Sequence, residues 1–397
     1  MINVYDTMKF RQTSILSFLL FFVLCVAGQT MKETVTGNNS FAFELFKKLF
    51  NENKNVFFSP YSISSALAMT YGGARGETEK QMSEVLHYDL NQQNTHQGFF
   101  DINSSLSEYK NNSLIKLSVA NALWKDEHQR FQPNFLELAK KYYNAAIFSL
   151  RGAKPINDWA KLNTNGKISE IVKDLEIAGA RLVLTNAIYF KGEWLSMFAT
   201  KDTYKSKFKT INGHQLDVDM MVQEGYINYF EDEQNQVIEL PYKREYMSMT
   251  IILPKGNSSI KTLAQKIDYK LFSYYHSKLR ETKVEYNLPK FSFASKFNLE
   301  EILPAMGMPD AFNSGKADFT GMSDSLSISK VIHMAFIEVN EKGSEAAAAT
   351  VIEEIDGATK QQPKLFKADR PFMILICDKK TNSILFMGSV MNPAAKQ

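Results

Sequence analysis

The stretch LVLTNAIYF (182–190) constrains this chain most. Apolar and β-branched residues run through it without alternation, so a strand there must be covered on both faces. The runs MTIILP (249–254), KVEYNLPKFSF (283–293), KVIHMAFIEVN (330–340), FMILICD (372–378) and SILFMGSV (383–390) read as further strands. LIKLSVANALW (114–124) alternates and reads as another. Helices are interleaved. Residues 40–51 carry the amphipathic pattern FAFELFKKLF, and 133–146 read as helix. Asn55 to Ser59 reads as extended, Pro60 opens a helix at its first turn, and Gly72-Gly73 ends it. Long strands with two covered faces, denser in the C-terminal half, predict a mixed α+β fold of large central sheets covered by helices.

Two facts decide how such a core is held. The first is a leader: Lys9 and Arg11 precede ILSFLLFFVLCVA (15–27). Thirteen apolar residues fall short of the roughly 20 that cross a bilayer, and positive charge in front of them reads as a signal peptide. Small residues at Val26-Ala27-Gly28 place cleavage after Gly28, with Met8 as an alternative start. The expected organisation is a signal peptide over 1–28 and one domain over 29–397, secreted and monomeric, with no membrane association after cleavage. The second fact is cysteine. Cys25 leaves with the leader and only Cys377 remains, so no intramolecular disulfide forms and the core alone carries the fold. Loss of Lys9, Arg11 and Asp6 leaves 44 basic and 42 acidic residues. That balance, without a basic tract, gives no reason to expect a nucleic-acid partner. Secretion gives meaning to the Asn-x-Ser sequons at Asn38, Asn103, Asn111 and Asn257, of which Asn111 and Asn257 sit in polar, turn-like stretches.

No catalytic constellation is present. There is no GxSxG elbow, no HExxH pair, no Walker loop and no GxGxxG after a strand. Gly72 to Gly76 is glycine-rich but follows a helix, and Glu353-Glu354 reads as a solvated loop. His333 lies among apolar residues and reads as a satisfied core histidine; Cys377, within FMILIC, reads as a buried strand residue. No metal and no cofactor is expected, and the chain is not expected to be an enzyme.

What stands out instead is EKGSEAAAATVIEEIDGATKQQ (341–362). Taken alone, Ala346 to Ala349 favours a short helix or a linker. As a strand it would put Ser344, Ala346, Ala348, Thr350 and Ile352 on one face and Glu345, Ala347, Ala349 and Val351 on the other. The first face is small enough to slide between two existing strands. At about 1 kcal/mol net per hydrogen bond, a dozen bonds plus apolar burial would release on the order of 10 kcal/mol.

The segment EVNEKGSEAAAAT (338–350) resembles the hinge of inhibitory serpins. The resemblance continues through NVFFSPYSISSALAMTYGGARGET (55–78), INDWAKLNTNGKI (156–168), LTNAIYFKGEW (184–194) and FKADRPFMILICDKKTNSILFMGSVMNP (366–393), and so covers about residues 38–393. It implies the serpin fold: three β-sheets, about nine helices and an exposed reactive-centre loop over about 341–365. It also implies a suicide mechanism, in which a serine protease cleaves the loop, is held as an acyl-enzyme and is carried along as the loop inserts into the large sheet. By the resemblance Glu341, Gly343 and Ser344 match the proximal hinge, and Ala346, Ala347, Ala348, Ala349 and Thr350 its small-residue run. Ser59, Ser62, Asn157, Trp194, Phe208 and His333 match positions around the opening of the large sheet.

The family's spacing from the hinge glutamate puts the reactive bond at Gly357–Ala358. A glycine there would suit a shallow specificity pocket, as in an elastase-like extracellular protease. A shift of one residue gives Asp356, and a shift of three gives Lys360, which would suit a trypsin-like enzyme. Glu354 and Asp356 fall on the inward face, where an unpaired carboxylate is costly; either they lie at the open end of the sheet or insertion is incomplete. The alternative function is a non-inhibitory serpin acting as a ligand carrier or binding module. Residues 77–109 are poor in Lys and Arg, so no strong heparin site is expected there.

Overall fold

The computed structural model describes residues 28–110, 112–344 and 362–395. In chain order it contains α1 (28–49), β1 (Val56–Phe58), α2 (Pro60–Tyr71), α3 (Gly76–Leu86), α4 (Gln92–Leu106), β2 (Ile115–Lys125), α5 (Pro133–Tyr143), β3 (Ala146–Ser149), α6 (Ala153–Asn163), α7 (Asp174–Ile177) and β4 (Leu182–Glu193). There follow β5 (Tyr204–Lys209), β6 (Gln215–Glu231), β7 (Asn235–Pro241), β8 (Met247–Pro254), α8 (Ile260–Lys266), α9 (Tyr269–Lys278), β9 (Arg280–Pro289), β10 (Phe291–Asn298) and α10 (Ile302–Met306). The last strands are β11 (Lys330–Val339), β12 (Gly343–Ser344), β13 (Lys364–Lys367), β14 (Phe372–Asp378) and β15 (Ser383–Val390).

The strands form two hydrogen-bonded networks. One runs β10-β11-β4-β2-β3, with β12 added on β4. The other runs β1-β15-β14-β8-β7-β6-β9-β13, with β5 added on β6. The third sheet of the expected fold is continuous with the second. The 17-residue β6 pairs β5 through Met220, β9 from Met220 to Tyr229 and β7 from Asn228, so one strand belongs to both halves. The α+β expectation holds, with ten α-helices among the described residues.

Some expected boundaries shift for local reasons. The first helix is already formed at residue 28, the first described residue, and not from 40, because nothing between Gln29 and Ser40 breaks it. Gly37 lies inside it at a close approach, where a Cβ would meet the His87 carbonyl oxygen at 2.1 Å. The single strand expected over 283–293 is two strands in different networks, β9 ending at Pro289 and β10 starting at Phe291. The helix expected to reach 146 stops at Tyr143, where Asn144 takes a left-handed conformation (φ 45°) and the chain turns into β3. Strands β5, β6 and β7 carry mixed polar and apolar residues and gave no apolar run to read.

α2 is buried on every side. Ser59 caps it, its side chain accepting from the Ser62 amide at 3.1 Å, and Pro60 occupies the first turn. A helix with no solvent face needs small side chains for close approach, which accounts for Ser62, Ser64, Ser65, Ala66 and Ala68.

Candidate functional site

β11 and β4 run side by side and parallel, but they pair only from Lys330 opposite Val183 to Ala335 opposite Ile188. Above that point they separate, and β12 fills the start of the gap. Gly343 stands opposite Glu193 and Ser344 opposite Gly192, antiparallel to β4. The described residues of this segment end at Ser344, beside β4 in the gap between the two central strands.

The sequence dictates this entry closely. Gly343 has φ +148°, and a Cβ there would lie 2.1 Å from the Gly192 oxygen and 2.7 Å from Glu193 Cα. Gly192 is constrained as well, since a Cβ on it would strike the Tyr242 ring at 2.7 Å. That ring stacks on Trp194 at 4.6 Å, and its hydroxyl hydrogen-bonds Ser344 Oγ at 2.8 Å. Trp194 holds the turn before the hinge: its amide donates to the Lys342 carbonyl at 3.0 Å and its indole nitrogen to the Asn340 carbonyl at 3.1 Å. The Phe198 amide donates to the Glu341 carbonyl at 2.9 Å. The buried Glu341 carboxylate accepts from Lys290 at 3.0 Å and from Thr203 Oγ1 at 3.0 Å. Burial raises its pKa, but its own amide, Lys290 and Thr203 outweigh that and hold it below the usual carboxylate range.

A second cluster locks the sheet at its middle. His333 on β11 stands directly opposite Asn186 on β4. The Ser59 amide donates to His333 Nε2 at 3.0 Å, so Nδ1 carries the ring proton and donates to Asn186 Oδ1 at 2.6 Å. The Asn186 amide nitrogen donates to Asn121 Oδ1 on β2 at 2.5 Å and to the Ser62 carbonyl at 3.1 Å, and it also contacts Ser62 Oγ. Asn121 donates to Ser65 Oγ at 3.3 Å. The network therefore ties α2 to three adjacent strands. Burial without a charged partner pulls the His333 pKa down to about 3, so the ring stays neutral.

Of the residues the resemblance placed around the opening, Ser59, Ser62 and His333 meet in this network, and Trp194 meets the hinge. Asn157 does not line the opening. It lies on α6, where its Oδ1 accepts from the Ile171 and Val172 amides and its Nδ2 donates to the Val172 carbonyl. It fixes the loop after α6 over Val183 of β4 and Ile332 of β11, and so holds the cover of the opening instead. Phe208 sits buried on β5 in the other network, its ring 6.5 Å from Phe372, which in turn lies 6.1 Å from Phe291, the partner of Val339 at the end of β11 that is unpaired with β4. Sequence reading missed Asn186, Asn121, Tyr242, Lys290 and Thr203. Asn186 carried a signal, because one amide in the middle of LVLTNAIYF requires buried partners.

The sequons divide. Asn38 is 1% exposed within α1, and Asn103 is tied up on α4, accepting from the Tyr61 hydroxyl at 2.6 Å and donating to the Tyr142 carbonyl. Neither amide is open to a glycosyltransferase in the folded protein. Asn257 is exposed in the loop after β8. Asn111, Ala346 to Thr350, Asp356, Gly357, Ala358 and Lys360 lie outside the described residues. Cys377 is buried, and that burial raises its thiol pKa well above the ordinary value, away from nucleophilic use.

The two central strands part above Ala335 and Ile188, β12 sits on β4 in the gap, and a buried polar network ties the strands together below it. Residues 36–393 match the family model described as Serpin (serine protease inhibitor), and the chain belongs to the serpin family. It is 41% identical over 373 residues to an uncharacterised serpin-like protein of Thermococcus kodakarensis, covering 91% of this chain and 86% of that one. It is 39% identical to human Serpin B8 (91% and 100% covered) and 39% identical to the leukocyte elastase inhibitor of Xenopus laevis (89% and 97% covered). Among solved structures it is similar to the thermophilic serpin tengpin in its native state, with TM-score 0.84, 30% identity and 90% and 94% coverage. It is also similar to human thyroxine-binding globulin complexed with its hormone, with TM-score 0.85, 29% identity and 92% and 100% coverage.

Proposed function

We propose that this chain is a secreted inhibitor of serine endopeptidases that acts as a suicide substrate. The observation that carries this is the pairing of Gly343 and Ser344 on Glu193 and Gly192 at the mouth of the sheet, directly before a run of small residues. Carried on in the same register, Ala346, Ala348, Thr350 and Ile352 would stand opposite Phe190, Ile188, Asn186 and Leu184. Those β4 side chains belong to the core side of the strand, so the small face of the segment would be the inward one.

In the reaction the protease serine attacks the Gly357 carbonyl. An ester forms, and the bond to Ala358 breaks as its nitrogen takes a proton and leaves. The freed hinge then enters between β4 and β11, exchanging the His333–Asn186 contact for strand pairing. About ten new backbone hydrogen bonds would release on the order of 10 kcal/mol, enough to distort a tethered enzyme before deacylation. Gly357 and the likeness to a leukocyte elastase inhibitor favour an elastase-like target. Fold similarity alone does not decide between inhibition and ligand carriage, since a thyroxine-binding globulin shares the fold. The hinge favours inhibition, because bulky or charged residues there would obstruct sheet entry and this run has none from Ala346 to Ala349.

A panel of elastase-like and trypsin-like proteases, run on denaturing gels, tests the reading. The expected result is a covalent complex with an elastase-like enzyme and a released peptide beginning at Ala358. Cleavage by every enzyme without a complex would refute inhibition. Expression in a secretory host should yield a monomer in the medium whose first residue is Gln29, with glycan at Asn257; retention of residues 1–28 inside the cell would refute the secretory part.

A further inference from the structure

A cavity of about 330 Å3 lies where the upper ends of β10 and β11 meet β6. Its floor is apolar, with Val218, Phe291 and Val339 buried in it. Three carboxylates line it, Asp217 and Asp219 from β6 and Glu338 from β11, against one cation, Lys290. Lys290 is already engaged by the buried Glu341 at 3.0 Å. Asp217 and Asp219 pair with Lys207 and Lys205 of β5 at 2.7 and 2.6 Å, but both pairs are exposed, where water weakens the attraction. Glu338 is held more loosely, with Lys167 at 3.5 Å and the Asn340 side-chain amide at 3.3 Å. Negative charge therefore outweighs positive among the lining residues.

The described chain ends at the wall of this cavity, which Pro393, Ala394 and Ala395 line. Asn55 fixes their approach. Its Oδ1 accepts from the Met391 and Asn392 amides at 2.8 and 2.9 Å, and its Nδ2 donates to the Asn392 carbonyl at 2.8 Å. The next residue is Lys396, whose Cα follows that of Ala395 by about 3.8 Å. A long cationic side chain is thus tethered beside an acidic, apolar-floored cavity.

We propose that Lys396 docks in this cavity, its methylenes on Val218 and Phe291 and its ammonium between Glu338 and the two aspartates of β6. The occupant is a segment of this same chain, and it straps β11 to β6. The strap matters because β11 beyond Ala335 is unpaired with β4 and keeps only its pairing with β10. Glu338 lies three residues before Glu341, so the strap holds the strand end that leads into the hinge turn. Its bearing on loop insertion rests on the inhibitory reading; docking itself does not.

Acylation of amines on the full chain, read lysine by lysine by mass spectrometry, tests the docking. Lys396 should label about tenfold more slowly in the native sequence than in the variant carrying Asp217→Asn, Asp219→Asn and Glu338→Gln, the equivalent of about 1.4 kcal/mol. High salt should narrow that difference. The exposed Lys80 on α3 is the internal reference and should label alike in both. Equal labelling of Lys396 in the two proteins overturns the docking. Hydrogen exchange over residues 336–341 tests the strap. Lys396→Glu should speed exchange there about tenfold, and Lys396→Arg should leave it within about twofold. A slow-labelling Lys396 together with unchanged exchange in Lys396→Glu overturns the link to β11. Neither readout needs a protease, so failure of the inhibitory mechanism leaves both intact, and failure of either leaves that mechanism untouched.

Discussion

His333→Ala removes a side chain that hydrogen-bonds across the two strands the loop would part under the proposed mechanism. Two buried groups lose their partners: the Ser59 amide loses its acceptor and Asn186 Oδ1 loses its donor. Each unpaired group costs about 1–3 kcal/mol, so the pair costs roughly 2–6 kcal/mol, and the space left by the ring adds to that. At about 2–3 °C per kcal/mol, extrapolated to a chain larger than those of the scaling, the native melting temperature should fall by roughly 5 °C or more. The loop-cleaved protein should behave differently. Once a strand separates β4 from β11, His333 and Asn186 no longer touch, so the substitution should cost the cleaved form much less. Thermal unfolding of intact and loop-nicked protein, wild type and variant side by side, reads this difference. Equal losses in the two forms, or an intact form unchanged within about 1 °C, would falsify the role given to the network.

Acid should weaken the native state for a related reason. Burial holds His333 at about 3 and His96 at about 4, while each titrates near 6.5 in the unfolded chain. Below pH 6.5 the unfolded chain takes up protons that the native state refuses, so stability falls by about 1.4 kcal/mol per pH unit for each ring until the folded pKa is reached. A melting temperature flat from pH 6.5 to 4.5 would exclude this, and His333→Ala should show about half the slope. Gly343→Ala should push the hinge out of the sheet, since its Cβ has no room beside Gly192, and strain at that backbone angle costs about 1–3 kcal/mol; faster proteolysis after Glu341 is the readout, and wild-type resistance would contradict it. Lys290→Met should leave the buried Glu341 carboxylate without its cation at a cost of about 1–2 kcal/mol, less than a fully buried pair because Lys290 is partly exposed. The expected sign is faster loss of inhibitory activity on warm storage, and unchanged storage life counts against the pair as a latch.

The strands that were legible are those buried on both faces. β4, β14 and β15 have continuous apolar runs that admit no other reading, and their ends match within a few residues. β5 and β6 were illegible because exposed positions break their pattern and β6 changes partners along its length, and β7 because polar Asn235, Gln236 and Glu239 interrupt a strand that is nonetheless buried. At the site, glycine and small residues marked the hinge because close approach leaves no other choice. Lys290, Thr203 and Tyr242 left no such mark, since their role depends on long-range placement and not on local spacing. Asn157 and Phe208 reach the opening only indirectly, one through the cover over β4 and β11 and the other through Phe372 and Phe291, and local spacing shows neither path.

The inward parity of Glu354 and Asp356 reads as an obstacle to insertion, and the register of β12 removes it for Asp356. Ser344 stands opposite Gly192, and each further residue inserted would step one position down β4. Ile352 would then stand opposite Leu184, within the core, and Glu354 opposite Leu182, where β4 begins. β11 begins at the same level, with Lys330 opposite Val183. Asp356 would therefore lie beyond the end of both strands, in water, while Glu354 would stand opposite the buried Leu182 at the last position, where its carboxylate needs a partner. On that register, strand pairing with β4 would end at Glu354. Under the proposed mechanism, Ile355 to Gly357 would form the short tether by which a trapped protease is held against the far end of the sheet, and a charged, extended tether is compatible with that position where a charged inserted strand is not.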